Sequence, residues 1–182
     1  VPSMVWDMEA DSLALIWADA GTAEAARTAT ARADAAVRPA PVIGRTGHGN
    51  YGHGLDTVWR DVPGVELVAV ADDDKAGLAA AVKRLGVEQG FLDYREMLDR
   101  VKPDVVTIAQ RWLDKHCEMA VACAERGIHM YMEKPLCPTL AEAYEMVAAC
   151  ERTHTKLALG HITVYSPLVG VVKQLIADGK IG

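Results

Sequence analysis

The sequence is poor in several features that would each mark a class of protein. It has no uninterrupted apolar run of about 18 residues, so no membrane-spanning helix is expected. Its four cysteines, Cys117, Cys123, Cys137 and Cys150, include no C-x-x-C pair. They read as reduced thiols of a cytoplasmic protein rather than a disulfide framework. The six histidines show no H-x-x-x-H or H-E-x-x-H spacing. His48 and His53 share a glycine-rich loop that holds neither carboxylate nor thiolate, and no metal is expected. Positive charge is scarce, with 19 Lys and Arg against 25 Asp and Glu and a net charge of −6. An acidic balance of this kind argues against nucleic acid or an anionic membrane as partner. No lysine precedes Lys75 and the first positive charge is Arg27, so the start lacks the pattern of a secretory signal. What is left is a soluble globular chain of 182 residues, 51% hydrophobic, long enough to bury roughly 70% of its unfolded surface.

Composition divides the chain. Residues 1–40 hold thirteen alanines and no lysine. Asp7–Trp17 has the spacing of a short amphipathic helix, Thr22–Val37 is rich in Ala, Arg, Thr and Asp with little to bury, and the whole is expected to form a poorly structured leader. The change near Pro41 is abrupt, as a misassigned start or a shifted upstream reading frame would leave it. From there strand and helix patterns alternate. Val65–Ala71 reads as a buried strand, Lys75–Leu85 as a helix capped by Gly86, and Asp93-Tyr-Arg-Glu96 as a capping box opening a short helix. Asp104–Ala109 reads as a second such strand, Asp114–Arg126 as a helix, and Ile128–Met132 as a third strand. Thr139 and Glu142 form another capping box, followed by a helix to about Arg152. Lys156–Gly160 is a fourth strand, and Pro167–Ala177 is a helix stopped by Gly179. The alternation implies βαβ units and a doubly wound parallel α/β sheet, whose ligands bind beyond the carboxyl ends of the strands.

The motifs fall at those ends. Val42-Ile43 leads into a glycine-rich turn, Gly44 to Gly54, in which Gly47, Gly49 and Gly52 satisfy G-x-G-x-x-G. Glycines there make a tight turn, let a pyrophosphate reach the backbone and let a helix pack on its strand. A helix over about Tyr51–Asp61 would aim its amides at the phosphates. Asp72 ends the next strand, where a carboxylate can bind a ribose diol and repel a 2′-phosphate, so NAD is favoured over NADP. The strand before the turn carries Pro39 and Pro41, which would remove ladder donors from a central strand. Glu133-Lys134-Pro135 puts two charges at the end of a buried strand, at a desolvation cost unless they are used.

With these residues in place the chain resembles the glucose–fructose oxidoreductase/inositol dehydrogenase/MocA-like family of NAD(P)-dependent oxidoreductases. The resemblance covers about residues 42–182. It rests on the glycine turn, Val68-Ala-Val-Ala-Asp72, Asp93-Tyr-Arg-Glu-Met-Leu98, Ile108-Ala-Gln110 with His116, Glu133-Lys134-Pro135-Leu136 and Ile176–Gly182. It implies a Rossmann domain over 41–161, with 162–182 as a helix leading into a substrate domain that is largely absent. It also implies hydride transfer between a nicotinamide and a secondary hydroxyl of a sugar, polyol or related compound. Lys134 would relay the hydroxyl proton, and Glu133 would orient Lys134 or the nicotinamide ribose. Gly44, Gly47, Gly49, Gly52, Asp72, Gln110, His116, Glu133 and Lys134 would form the cofactor site. The Lys134–Pro135 bond is often cis in such proteins. Relatives usually carry a proline where this chain has Gln110-Arg-Trp112. The 182-residue chain by itself is expected to bind NAD weakly and turn over little. Its uncovered apolar surface is expected to favour association of copies. A non-catalytic dinucleotide-binding module and an inactive fragment are the alternatives.

Overall fold

A computed structural model describes residues 38–39, 41–45, 54–161 and 166–182. Six parallel strands form one sheet: β1 (Val42–Arg45), β2 (Ala69–Asp72), β3 (Gln89–Phe91), β4 (Val105–Ile108), β5 (His129–Met132) and β6 (Leu157–Leu159). Their order is β3-β2-β1-β4-β5-β6. The chain winds outward from β1 in one direction to β3, then restarts at β4 and winds the other way. This is the doubly wound Rossmann order, and it opens a crevice between β1 and β4.

Side-chain alternation divides the core between the two faces. Val42, Val70 and Ala109 face the helix α1 (Lys75–Leu85) through Ala81 and Leu85. Ile43, Ala71, Ile108, Met130 and Met132 face the other way. They meet Met97 and Leu98 of α2 (Tyr94–Val101), Met119 and Cys123 of α3 (His116–Ala124), and Met146 of α4 (Leu140–Thr153). The last helix, α5 (Pro167–Ala177), contributes no buried residue. None of the described helices is long and apolar enough to cross a membrane.

Helix ends follow the local chemistry. Gly86 closes α1 in the left-handed conformation, φ 67°, where a β-carbon would be strained. Thr139 and Glu142 make both halves of a capping box on α4. The box expected at Asp93 is half formed. Asp93 accepts from the Arg95 N–H at 2.8 Å, while Glu96 turns to Arg100 one helical turn on.

Several expectations are corrected. Neither proline occupies a position of the six-stranded ladder that calls for an N–H donor. Pro41 precedes β1 and offers only its carbonyl, which accepts from the Thr107 N–H at 3.1 Å. Arg38–Pro39 pairs instead with Val65–Glu66 in a separate two-residue parallel bridge. The expected strand 65–71 therefore splits, and the sheet strand runs from Ala69 to Asp72. Of the helix expected over 51–61, the described part is a turn followed by a single 3-10 stretch, Val58–Asp61. The helix expected from Asp114 begins as a 3-10 turn, Leu113–Lys115, and becomes α-helical at His116. The edge strand β3 was not anticipated. It has three residues, and its middle one is Gly90, where a β-carbon would stand 2.8 Å from Val82 Cγ2 of α1.

Candidate nucleotide-binding site at the carboxyl edge of the sheet

β1 carries the first part of the site. Val42 and Ile43 pair with Val70 and Ala71 of β2, and then Arg45 pairs with Asp72. Gly44 is the extra residue of this bulge. On the other side β1 pairs with β4 only through Val42 and Ile43, and the Ala109 N–H donates to the Ile43 carbonyl at 2.9 Å. Beyond Ile43 the two strands part, and the crevice begins. Gly44 therefore stands at the mouth of the crevice. Gly47, Gly49 and Gly52 lie outside the described residues.

The turn after the glycine segment is pinned to the sheet by a residue the sequence reading missed. Trp59 is buried, its Nε1–H donates to Thr107 Oγ1 of β4, and its ring meets Tyr131 of β5 edge-on at 6.0 Å. The signal was available, because a threonine inside an otherwise apolar central strand needs a partner. Leu55 packs on the end of β6, where a β-carbon on Gly160 would lie 3.1 Å from Leu55 Cδ2.

At the end of β2, Asp72 is buried and its Oδ1 accepts the Asp74 N–H at 3.0 Å. Asp74, not Asp72, is the N-cap of α1, accepting from the Gly77 N–H at 2.7 Å. Asp72 is thus released from helix capping. Gly77 leaves room for its carboxylate, since a β-carbon there would stand 2.9 Å from Asp72 Oδ2.

At the end of β4, Gln110 is buried and its Nε2 donates to the Trp112 carbonyl. At the end of β5, the Glu133 N–H donates to the Ile108 carbonyl at 2.9 Å, which ties this turn to β4. The Glu133 carboxylate is buried, and its Oε1 accepts the Lys134 N–H at 3.0 Å. The Lys134 side chain is exposed, and the Lys134–Pro135 bond is cis. His116 lies behind this turn, fully buried. Its Nδ1 stands 3.0 Å from the Pro135 carbonyl and 3.1 Å from that of Leu136, and its Nε2 stands 3.0 Å from the Gln110 carbonyl. Both ring nitrogens of His116, the histidine expected near the nicotinamide, face backbone oxygens.

The structure thus brings Gly44, Asp72, Gln110, Glu133 and Lys134 to one edge of the sheet, at the ends of four strands. A crevice, a carboxylate held at the end of β2 and a glycine where a side chain would crowd it fit an extended dinucleotide.

The comparisons agree. The model of the oxidoreductase family with an NAD-binding Rossmann fold, Gfo/Idh/MocA, matches residues 42–161. D-apiose dehydrogenase from Paraburkholderia graminis is 36% identical over 124 residues, 68% of this chain and 33% of that protein. A glycosyl hydrolase family 109 protein from a Shewanella species is 29% identical over 150 residues, 77% of this chain and 32% of that one. Among solved structures, myo-inositol 2-dehydrogenase from Lactobacillus plantarum superposes with a TM-score of 0.68 at 26% identity, covering 80% of this chain and 42% of that chain. The matches take in about a third of the curated relatives' length. With its sheet order, its carboxyl-edge site and the family match over residues 42–161, the chain belongs to the Gfo/Idh/MocA family of oxidoreductases.

Proposed function

We propose that this chain is the nucleotide-binding part of an oxidoreductase that moves hydride between NAD and a secondary hydroxyl of a sugar or polyol. The observation that carries the reading is the Glu133–Lys134 pair at the end of β5, tied to β4 beside the crevice. A bound NAD supplies the site that takes up or releases hydride. The chain's own residues do the rest. The backbone at Gly44 and the glycine turn (Gly47, Gly49, Gly52) approaches the pyrophosphate without a side chain in the way. Asp72 accepts from the adenosine ribose diol and disfavours a 2′-phosphate. Gln110 lines the crevice from β4. Glu133 holds the Lys134 backbone, and Lys134 Nζ takes or returns the hydroxyl proton. His116 belongs to this site from behind the turn.

The substrate class follows from the names of the relatives, which include a D-apiose dehydrogenase and a myo-inositol 2-dehydrogenase. Residues 1–40 are assigned as a leader whose end, Arg38–Pro39, is drawn to the domain by its pairing with Val65–Glu66. Residues 162–182 go with a substrate-binding part, since Leu168 and Ile176 on α5 are 71% and 54% exposed. The same uncovered side supports association of copies. The free thiols of Cys117, Cys123, Cys137 and Cys150 support a cytoplasmic location.

A titration followed by NADH fluorescence, repeated with NADPH, tests the cofactor assignment. The expected result is saturable binding with NADH held at least about tenfold more tightly, some 1.4 kcal/mol. Equal affinity for both would remove Asp72 from its role, and binding of neither would remove the reading.

A further inference from the structure

We infer that His116 is a positioning residue for Lys134, acting through the backbone of the turn that carries it. The inference rests on the proposed cofactor site for its purpose but not for its geometry. His116 opens α3, the helix that follows β4, while Lys134 follows β5. The ring lies between the two segments, and it faces the Pro135 and Leu136 carbonyls with one nitrogen and the Gln110 carbonyl with the other. Residues 110 and 135 both belong to the carboxyl edge, on opposite sides of the β4–β5 junction. A single side chain therefore joins the two strand ends that flank the nicotinamide side of the crevice.

The chemistry singles out histidine. The turn presents the Pro135 and Leu136 carbonyls to the buried ring, and carbonyls drawn against a buried side chain call for donors. An imidazole is flat and rigid, and it carries nitrogens on opposite sides of one ring. The neutral ring donates to one of the two backbone segments and packs against the other, and only the doubly protonated ring donates to both. The turn has a second tether, from the Lys134 N–H to Glu133 Oε1. Glu133 and His116 thus meet the turn on either side of the Lys134–Pro135 bond, one at the Lys134 N–H and the other at the Pro135 and Leu136 carbonyls. The segment that carries Lys134 is thereby tethered ahead of its Cα at the Lys134 N–H and beyond it at residues 135 and 136, and the exposed side chain leaves from between the two tethers. His116 needs no contact with cofactor or substrate to do this, so it is not a catalytic residue.

The test uses the full 182-residue chain as wild type, His116→Ala, His116→Gln and Lys134→Ala. Hydrogen–deuterium exchange without nucleotide reads the tether itself. In His116→Ala, the amides of Lys134, Leu136 and Cys137 should exchange about tenfold faster or more, with β1, β2 and β4 unchanged. His116→Gln, whose amide can donate to the same carbonyls, should recover part of the protection. If His116→Ala fails to fold by circular dichroism, the Gln variant carries the comparison. Acylation of Lys134 by acetic anhydride, read by mass spectrometry with and without NADH, gives the functional consequence. NADH should shield Lys134 in the wild type. In the His116 variants, at NADH concentrations that saturate each of them, much of that shielding should be lost. Unchanged exchange at Lys134, Leu136 and Cys137 would overturn the inference, and so would unchanged shielding. Failure of NADH to bind wild type would instead remove the cofactor reading, and the exchange arm alone would then decide whether His116 holds the turn.

Discussion

The carboxylate of Asp72 and the backbone of Gly77 are packed so closely that a β-carbon on residue 77 would stand 2.9 Å from Asp72 Oδ2 and 3.1 Å from Asp74 Oδ2. Asp72 cannot retreat freely, because its Oδ1 holds the Asp74 N–H. Gly77→Ala should therefore turn the carboxylate away from the crevice. Its expected effect is an NADH affinity reduced about tenfold. The melting temperature should change little, since alanine is the better helix former. Gly90→Ala is the control. It crowds Val82 on α1, away from the site, and should lower stability while leaving affinity intact.

Asp72→Asn keeps the shape of that side chain and removes its charge. The repulsion of a 2′-phosphate disappears with it. Parallel NADH and NADPH titrations should find the preference for NADH reduced by at least about tenfold. An unchanged ratio would assign the discrimination to other residues.

The capping box on α4 is a stability device. Thr139→Ala removes the acceptor of the Glu142 N–H and leaves the other half of the box, the residue 139 N–H donating to Glu142 Oε2. The expected cost is about 1 kcal/mol, seen as a fall in Tm of about 3 °C, with NADH affinity unchanged.

The α3 side of the core sets a response to alkali. Burial, and then the Glu145 carboxylate beside it, pushes the Cys117 thiol up to about 11. Burial pushes Cys123 up to about 12. Tyr94 is raised further, by burial and then by its hydrogen bond to Glu118. All three keep their protons more tightly folded than unfolded. Their contribution to stability is complete below the ordinary thiol value of 9.0 and is lost as the pH rises through 11 and 12. Urea midpoints should be level up to about pH 9 and fall steadily above it. Cys123→Ala should flatten part of that slope. A level profile to pH 11 would contradict the assignment.

Much of this was legible in the sequence. The apolar runs ending in Asp72, Ala109 and Met132 announced three of the strand ends at the carboxyl edge, and the helix limits at Lys75, Leu85, Pro167 and Ala177 agree with the structure. Periodicity and glycine stops act locally, so they can be read locally. What the sequence hid depends on contacts across the fold. Residues 65–71 look like one strand, but Val65–Glu66 pairs with Arg38–Pro39, and no local pattern announces that partner. Gln89–Phe91 is too short and polar to look like a strand, and it joins the sheet because β2 offers it an edge. His116 was read as a cofactor contact because of its place in a motif. Its neighbours are carbonyls 6, 19 and 20 residues away, which only the fold brings together.

The central claim is that a dinucleotide lies across the carboxyl edge of the sheet, from Asp72 to Lys134. Backbone amide chemical shifts of the 15N-labelled chain, recorded as NADH is added, test it most directly. The account predicts saturable shifts at Gly44, Asp72 to Asp74, Gln110 and Glu133-Lys134, with α5 and the amino ends of the strands unmoved. Shifts confined to α5 or to the opposite edge, or none at these residues at saturating NADH, would contradict it.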